Sequence, residues 1–291
     1  MGVISQAALR VKQAQRVMQE EGARGLRNAL KTFTAQRVLH VQPDMTQHRF
    51  FLSERLGIQL DSTVAYGPFH GLRLEAAPWW SGADRGAMLL GLYEPQVLRV
   101  LESLAERYSL FVDIGAADGY YGVGMAYSGL CARSVCFESD ERGQEAIKDL
   151  AIANGVPSRV TVRGQATSQF LNEIGNDKWK ADRGALFLID IEGGEYELLT
   201  DEVLRTLAYS SVIVELHEAS MESTGLNSRL IERARQHFNV EILQGGPKDP
   251  ASIAELRGWN DDDRWILCSE SRQFAMSWLL LTPTRDRTVT G

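Results

Sequence analysis

From Leu110 onward the chain alternates short apolar runs with helix-period segments, and nothing else in it constrains the fold as strongly. The runs Leu110–Ile114, Ser134–Glu138, Val160–Arg163, Ala185–Ile189, Ser211–Glu215, Val240–Leu243 and Ser277–Leu281 read as strands. Tyr121–Ser128, Glu141–Asn154, Ser168–Ile174, Glu195–Leu207 and Asn227–His237 read as helices between them. Alternating β and α at this spacing predicts an α/β architecture, a doubly wound, mostly parallel, seven-stranded sheet with helices on both faces. Asp140 is expected to cap the second of these helices, and Asn154-Gly155 to end it.

At 291 residues the chain is about twice the common domain size, which leaves room for an appendage before the core. Ile4, Ala8, Val11, Ala14 and Met18 recur at helical steps, and Gly22 and Gly25 precede a second segment through Leu30 and Val38. The expected organisation is a helical extension over 1–60, a hairpin (Thr63–Leu74) and helix (Leu92–Tyr108) within 61–109, a core over 110–283 and a tail over 284–291. The net charge of −7 hides a basic leader: residues 1–40 carry +5, leaving −12 for the rest. Such a leader suits an anionic partner or a membrane surface or, as the solvated face of a packing helix, self-association into a homo-oligomer. No apolar run approaches the roughly 20 residues of an integral membrane span. Cys131, Cys136 and Cys268 are an odd count without metal spacing, and no secretory segment leads the chain, so a cytoplasmic location is expected.

In a doubly wound sheet, ligands sit beyond the carboxyl ends of the strands, so the residues just after each strand carry the chemistry. The first strand runs into Asp113-Ile114-Gly115-Ala116-Ala117-Asp118-Gly119-Tyr120, where Gly115 and Gly119 permit a sharp turn close to a ligand. The next helix offers unpaired N–H groups. Glu138, 25 residues beyond Asp113, ends the second strand and is placed to accept both hydroxyls of a ribose. The loop lacks the G-x-G-x-x-G spacing of a dinucleotide site, and Asp113 and Asp118 would repel a pyrophosphate. The same carboxylates suit the ammonium and sulfonium charges of S-adenosyl-L-methionine.

At these residues the sequence resembles the FkbM-type branch of the class I S-adenosylmethionine-dependent methyltransferases, whose sheet is Rossmann-like. The resemblance rests on Tyr93-Glu94-Pro95, the Asp113–Tyr121 loop, Phe137-Glu138, the Asp190–Glu195 run with Leu198-Leu199, and Val214-Glu215-Leu216-His217. It covers about residues 90–245 and implies O-methylation of a sugar or natural-product hydroxyl. It further implies that Asp113, Gly115 and Gly119 hold the methionine end, Glu138 the ribose, and Gln165 and Ala166 the adenine. Ala116, Asp118, Tyr120, Ser139 and Asp190 complete that cofactor set. Ala117 stands where the family usually has Asn.

Methyl transfer is an in-line displacement that needs alignment and removal of the acceptor's proton. Asp190, Glu192, Glu215 and His217 are expected to converge after the fourth and fifth strands, since 215 and 217 share one strand face. Two arrangements fit. His217, with an ordinary pKa of about 6.5, is the base, oriented by Asp190 or Glu215. Alternatively Asp190, Glu192 and Glu215 bind Mg²⁺, as in catechol-type O-methyltransferases. Glu192, His217, Trp259, Arg264 and Trp265 are the candidate contacts to a small-molecule or glycan acceptor. No Asn/Asp-Pro-Pro-Tyr/Phe motif follows the fourth strand, and an acidic body repels phosphates, so nucleic acid is not the expected substrate. An NAD-dependent oxidoreductase and a non-catalytic binding module on the same fold remain the alternatives.

Overall fold

The computed structural model describes residues 45–74, 79–80, 82–175, 179, 184–217, 224–246, 248–270, 272 and 276–284. The two helices expected over 3–40, and the self-association they suggest, lie outside the described residues.

Strand β1 (Leu110–Ile114) is buried along its length, and the alternation of its side chains divides the core in two. Phe111 points into one apolar cluster, and Leu110, Val112 and Ile114 into the other. By the same alternation Asp113 shares the face of Phe111.

The elements run α1 (Met45–Gln59), α2 (Arg85–Leu89), α3 (Pro95–Ala105), β1, α4 (Tyr120–Tyr127), β2 (Arg133–Phe137), α5 (Glu141–Ala153), β3 (Val160–Arg163) and α6 (Phe170–Glu173). There follow β4 (Leu186–Ile189), α7 (Glu195–Leu198), α8 (Asp201–Thr206), β5 (Ser211–Leu216), α9 (Leu226–Ala234), β6 (Phe238–Gln244), α10 (Asp261–Cys268) and β7 (Ser277–Pro283). The seven strands form one sheet in the order β3-β2-β1-β4-β5-β7-β6, parallel from β3 to β5, with β7 antiparallel to both its neighbours. The sheet is therefore the doubly wound, mostly parallel, Rossmann-like one that the alternation predicts. Its order reverses between β1 and β4, which fixes the topological switch point there.

Local chemistry explains where boundaries differ from expectation. The single helix expected over Glu195–Leu207 is two, because the Thr200 hydroxyl accepts a hydrogen bond from Val203 N and starts α8 afresh. The expected hairpin at Thr63–Leu74 is reduced to one antiparallel bridge, Thr63 to Arg73. Asp140 caps α5 as expected, accepting from Arg142 N. Helix α1 buries Arg49, Leu52, Ser53 and Leu56, a three-to-four-residue stripe. Arg49 then anchors it to the far end of the chain by donating to Ile266 O and Ser269 Oγ. No described helix is long and apolar enough to cross a membrane.

Candidate active site

The loop after β1 needs glycine at 115 because it crosses directly over the end of β4. Gly115 has φ +88°, and a Cβ there would lie 1.7 Å from Asp190 O. Asp190 N donates to Ile114 O at 2.9 Å, locking the two strand ends together. Beyond this crossing opens a cleft of about 810 Å³ at the switch point. Its walls come from the loops after four strands, including Gly115–Asp118, Glu138–Asp140, Gln165–Ser168 and Asp190–Glu192, with Tyr93, Trp79 and Trp80 from upstream.

Glu138 is fixed on that wall by two backbone donors. Its Oε2 accepts from Ala117 N at 2.9 Å and its Oε1 from Asp140 N at 2.8 Å. Gly143 leaves it room, since a Cβ there would lie 2.7 Å from Glu138 Cγ. Ser139 Oγ approaches Oε1 at 3.4 Å as a third donor, and a carboxylate has about four acceptor positions, so one remains for a ligand. Asp118 accepts from both Trp79 N and Trp80 N at 3.1 Å, which ties the upstream segment across the loop. Tyr120 also lines the cleft, and its buried hydroxyl has no hydrogen-bond partner among the described residues.

Asp113 is placed differently from expectation. It is 2% exposed and does not line the cleft, because strand parity turns it under α4, where a Cβ on Gly122 would lie 3.1 Å from its Oδ2. Burial pushes its carboxyl up to about 7, against the lowering effect of a Gly122 backbone bond. Gly119 likewise stays off the wall; its φ of +86° starts α4.

Asp190, Glu192, Glu215 and His217 do meet, though not as a ring of groups facing one ligand. His217 Nε2 lies 3.2 Å from Glu215 Oε2, 3.4 Å from Asp190 Oδ1 and 3.6 Å from Glu192 Oε2. Its Nδ1 is 3.0 Å from Glu195 Oε1. Asp190 and Glu192 line the cleft, whereas Glu215 (2% exposed) and His217 (3%) lie behind them. Burial alone would lower the imidazole's pKa, but the bonds to Glu195 and Glu215 and the charges of Glu215 and Asp190 outweigh it and raise it to about 10. His217 is buried behind Asp190 and Glu192 and does not line the cleft, where it was expected as base and acceptor contact. Burial, then the neighbouring Glu215, holds the Asp190 carboxyl well above the usual carboxylate range.

Glu215 is held from its other side by Arg272, which also grips Glu94 and Glu270. It is therefore an ion-pair partner, not a free metal ligand. Among the described residues, the group whose ligand atoms all lie within 4.8 Å of one another is Asp190, Glu192 and His217.

The three expected acceptor contacts in the tail are scattered. Trp259 is 8% exposed, donates to Gln59 Oε1 and stacks under the Arg55 guanidinium, so it fastens α1. Arg264 pairs with Asp261 on its own helix. Trp265 is 54% exposed but borders a second cavity, not the cleft. Sequence reasoning assigned no site role to Glu195, Glu94 or Tyr121, and offered Arg272 only as a candidate acceptor contact of the tail. Glu94, in left-handed conformation at φ +45°, receives the Tyr121 hydroxyl at 2.5 Å.

No protein-family model and no curated protein matches the chain. Solved structures resemble it at low identity. A candidate O-methyltransferase from Klebsiella pneumoniae is 15% identical over 87% of this chain and 96% of its own, with a TM-score of 0.42. The precorrin-6y C5,15-methyltransferase of Geobacter metallireducens is 13% identical over 64% and 89%, with a TM-score of 0.42. A candidate tRNA (m1A22) methyltransferase of Streptococcus pneumoniae, in complex with S-adenosyl-L-methionine, is 14% identical over 67% and 75%, with a TM-score of 0.41. At these scores the likenesses bear on neither cofactor nor acceptor.

Proposed function

We propose that the chain transfers a methyl group from S-adenosyl-L-methionine to a hydroxyl of a sugar or natural-product acceptor. The observation that carries this reading is the charge of the cleft wall. Asp118, Glu138, Asp140, Asp190, Glu192 and Glu197 line it against one cation, Arg142, which is itself paired with Asp140. A pyrophosphate meets repulsion there, whereas a ligand with ammonium and sulfonium charges is attracted.

The residues present fit that cofactor. Glu138 offers its remaining acceptor position to a ribose hydroxyl, the backbone of Gly115 and Ala116 approaches closely, and Gln165 and Ala166 border the adenine position. Bound, the cofactor supplies an electrophilic methyl carbon. Asp190, at the crossing of the β1 loop and β4, lines the cleft and takes the acceptor's proton. His217 is the positioning residue: as an imidazolium beneath Asp190 and Glu192, it holds both carboxylates toward the cleft.

Calorimetry with S-adenosylhomocysteine and with NAD tests the cofactor. Binding of the first and not the second is expected; the reverse would establish an oxidoreductase. Asp190→Asn is then expected to lose turnover by about 10²–10⁴-fold while weakening cofactor binding far less. Intact cofactor binding with no turnover on any hydroxyl acceptor would make the chain a binding module.

The spacing of Asp190, Glu192 and His217 favours one second reading, in which a divalent cation sits among them and lowers the acceptor hydroxyl's pKa. Activity that disappears with EDTA and returns with a divalent metal selects it.

A further inference from the structure

Asp118 stands where a carboxylate facing the cofactor's ammonium is expected, yet both its oxygens are engaged by backbone. Oδ1 accepts from Trp79 N and Trp80 N at 3.1 Å, and Oδ2 from Trp80 N at 3.2 Å. The two tryptophans lie 39 and 38 positions upstream, so one side chain of the β1 loop holds a distant segment against the cleft that both tryptophans line.

A second tie fixes Trp79. The Arg142 guanidinium lies 5.2 Å from the centroid of its ring, and Asp140 holds that guanidinium through bonds of 3.0 and 2.8 Å. The Trp80 ring, 5.5 Å from that of Trp79, is 57% exposed and borders the cleft. An indole whose backbone is anchored and whose ring stays open to a cavity is a preorganised surface for a flat ligand.

Both ties fall on the loops that hold Glu138. Asp118 follows Ala117, whose N donates to Glu138 Oε2, and Arg142 pairs with Asp140, whose N donates to Glu138 Oε1. The tryptophan pair is therefore fastened beside the carboxylate assigned to the ribose. A purine carries a flat π surface that stacks on aromatic side chains, whereas the amino-acid end of the cofactor carries none.

We propose that Trp80 is a contact to the nucleoside part of the cofactor, and that Asp118 is a positioning residue that acts through Trp80 rather than by touching the ammonium. The assignment rests on the proposed use of S-adenosyl-L-methionine. It gives the Trp79-Trp80 pair, which the core resemblance leaves unexplained, a place in the site.

Calorimetry on the full chain with S-adenosylhomocysteine and with 5′-methylthioadenosine tests the proposal, since the second ligand keeps the nucleoside and lacks the amino-acid end with its charges. Trp80→Ala is expected to weaken both ligands about two- to tenfold, and Trp80→Phe, which keeps a ring, to weaken them less. Tryptophan emission quenched by S-adenosylhomocysteine in the wild type should be quenched less in Trp80→Phe. Asp118→Ala is expected to weaken methylthioadenosine too, and to add nothing for that ligand in a Trp80→Ala background. Asp118→Asn, which keeps an acceptor oxygen for the two N–H groups, should restore methylthioadenosine binding, and carries this arm if circular dichroism shows Asp118→Ala unfolded. Wild-type affinity for both ligands in Trp80→Ala overturns the contact. A loss confined to S-adenosylhomocysteine in either Asp118 variant makes Asp118 an ammonium contact and overturns its positioning role. Failure of the unaltered chain to bind either ligand sinks the proposed cofactor and this contact with it, an outcome distinct from wild-type binding that ignores Trp80.

Discussion

His217 Nδ1 lies 3.0 Å from Glu195 Oε1, and both side chains are shut off from solvent. Glu195 also accepts from Gly193 N and His217 N, so one buried carboxylate joins the β4 loop to the end of β5. With carboxylates around Nε2 as well, the imidazole holds its proton up to about pH 10. In EDTA-treated protein the His217 ring resonances are therefore expected to titrate near that value, and Glu195→Gln to move the midpoint down. A wild-type midpoint near the ordinary value, about 6.5, would contradict the arrangement. Because the folded pKa is the higher one, the stabilisation is complete below about pH 6.5 and is lost as pH rises through about 10.

Asp113 shows a dependence of the same sign at lower pH. Its folded-state pKa is about 7 against an ordinary value of 3.8, so between those values the folded chain holds a proton that the unfolded chain has released. Stability is expected to fall as pH rises from about 4 to about 7, by up to ~4 kcal/mol for a shift of that size. Urea unfolding at a series of pH values measures this. Asp113→Asn, which keeps the shape and removes the charge, should flatten the curve; an equally steep curve in the variant would assign the slope to another group.

The sheet was legible because each strand is a short apolar run whose burial is a local property of its own residues. Asp113 was misplaced at the cofactor although parity carried its true position: it lies two residues from Phe111 on a fully buried strand, so its place under α4 follows from the same alternation. The candidate active site was legible only in part. Asp190 and Glu192 follow β4 directly, but the pairing of His217 with Glu195, and of Arg272 with Glu215, joins residues 22 and 57 positions apart. No local spacing encodes such contacts. Trp259 and Trp265 are alike in composition, and their fates part because Asn260 caps α10 between them.

Glu138 binds structure and, on the proposed reading, cofactor with the same carboxylate. Glu138→Ala is expected to weaken S-adenosylhomocysteine binding by about 1–3 kcal/mol through loss of charge-assisted bonds to the ribose. Glu138→Gln keeps one acceptor oxygen and should lose less. Calorimetry that finds both variants at wild-type affinity would remove Glu138 from the cofactor site.

Among the described residues Arg272 is the cation that touches Glu94, 1% exposed, and it shares Glu215, 2% exposed, with His217. Removing one partner of a buried ion pair leaves the other charge without compensation, which costs about 3–5 kcal/mol. Arg272→Met, which keeps much of the side chain's length, is therefore expected to lower the free energy of unfolding by an amount in that range. Adding Glu94→Gln should recover part of the loss, because Tyr121 can still donate to the amide oxygen. Losses that simply add in the double variant would show that the two residues do not act on one another, and the Glu94–Arg272 pair would have to be abandoned.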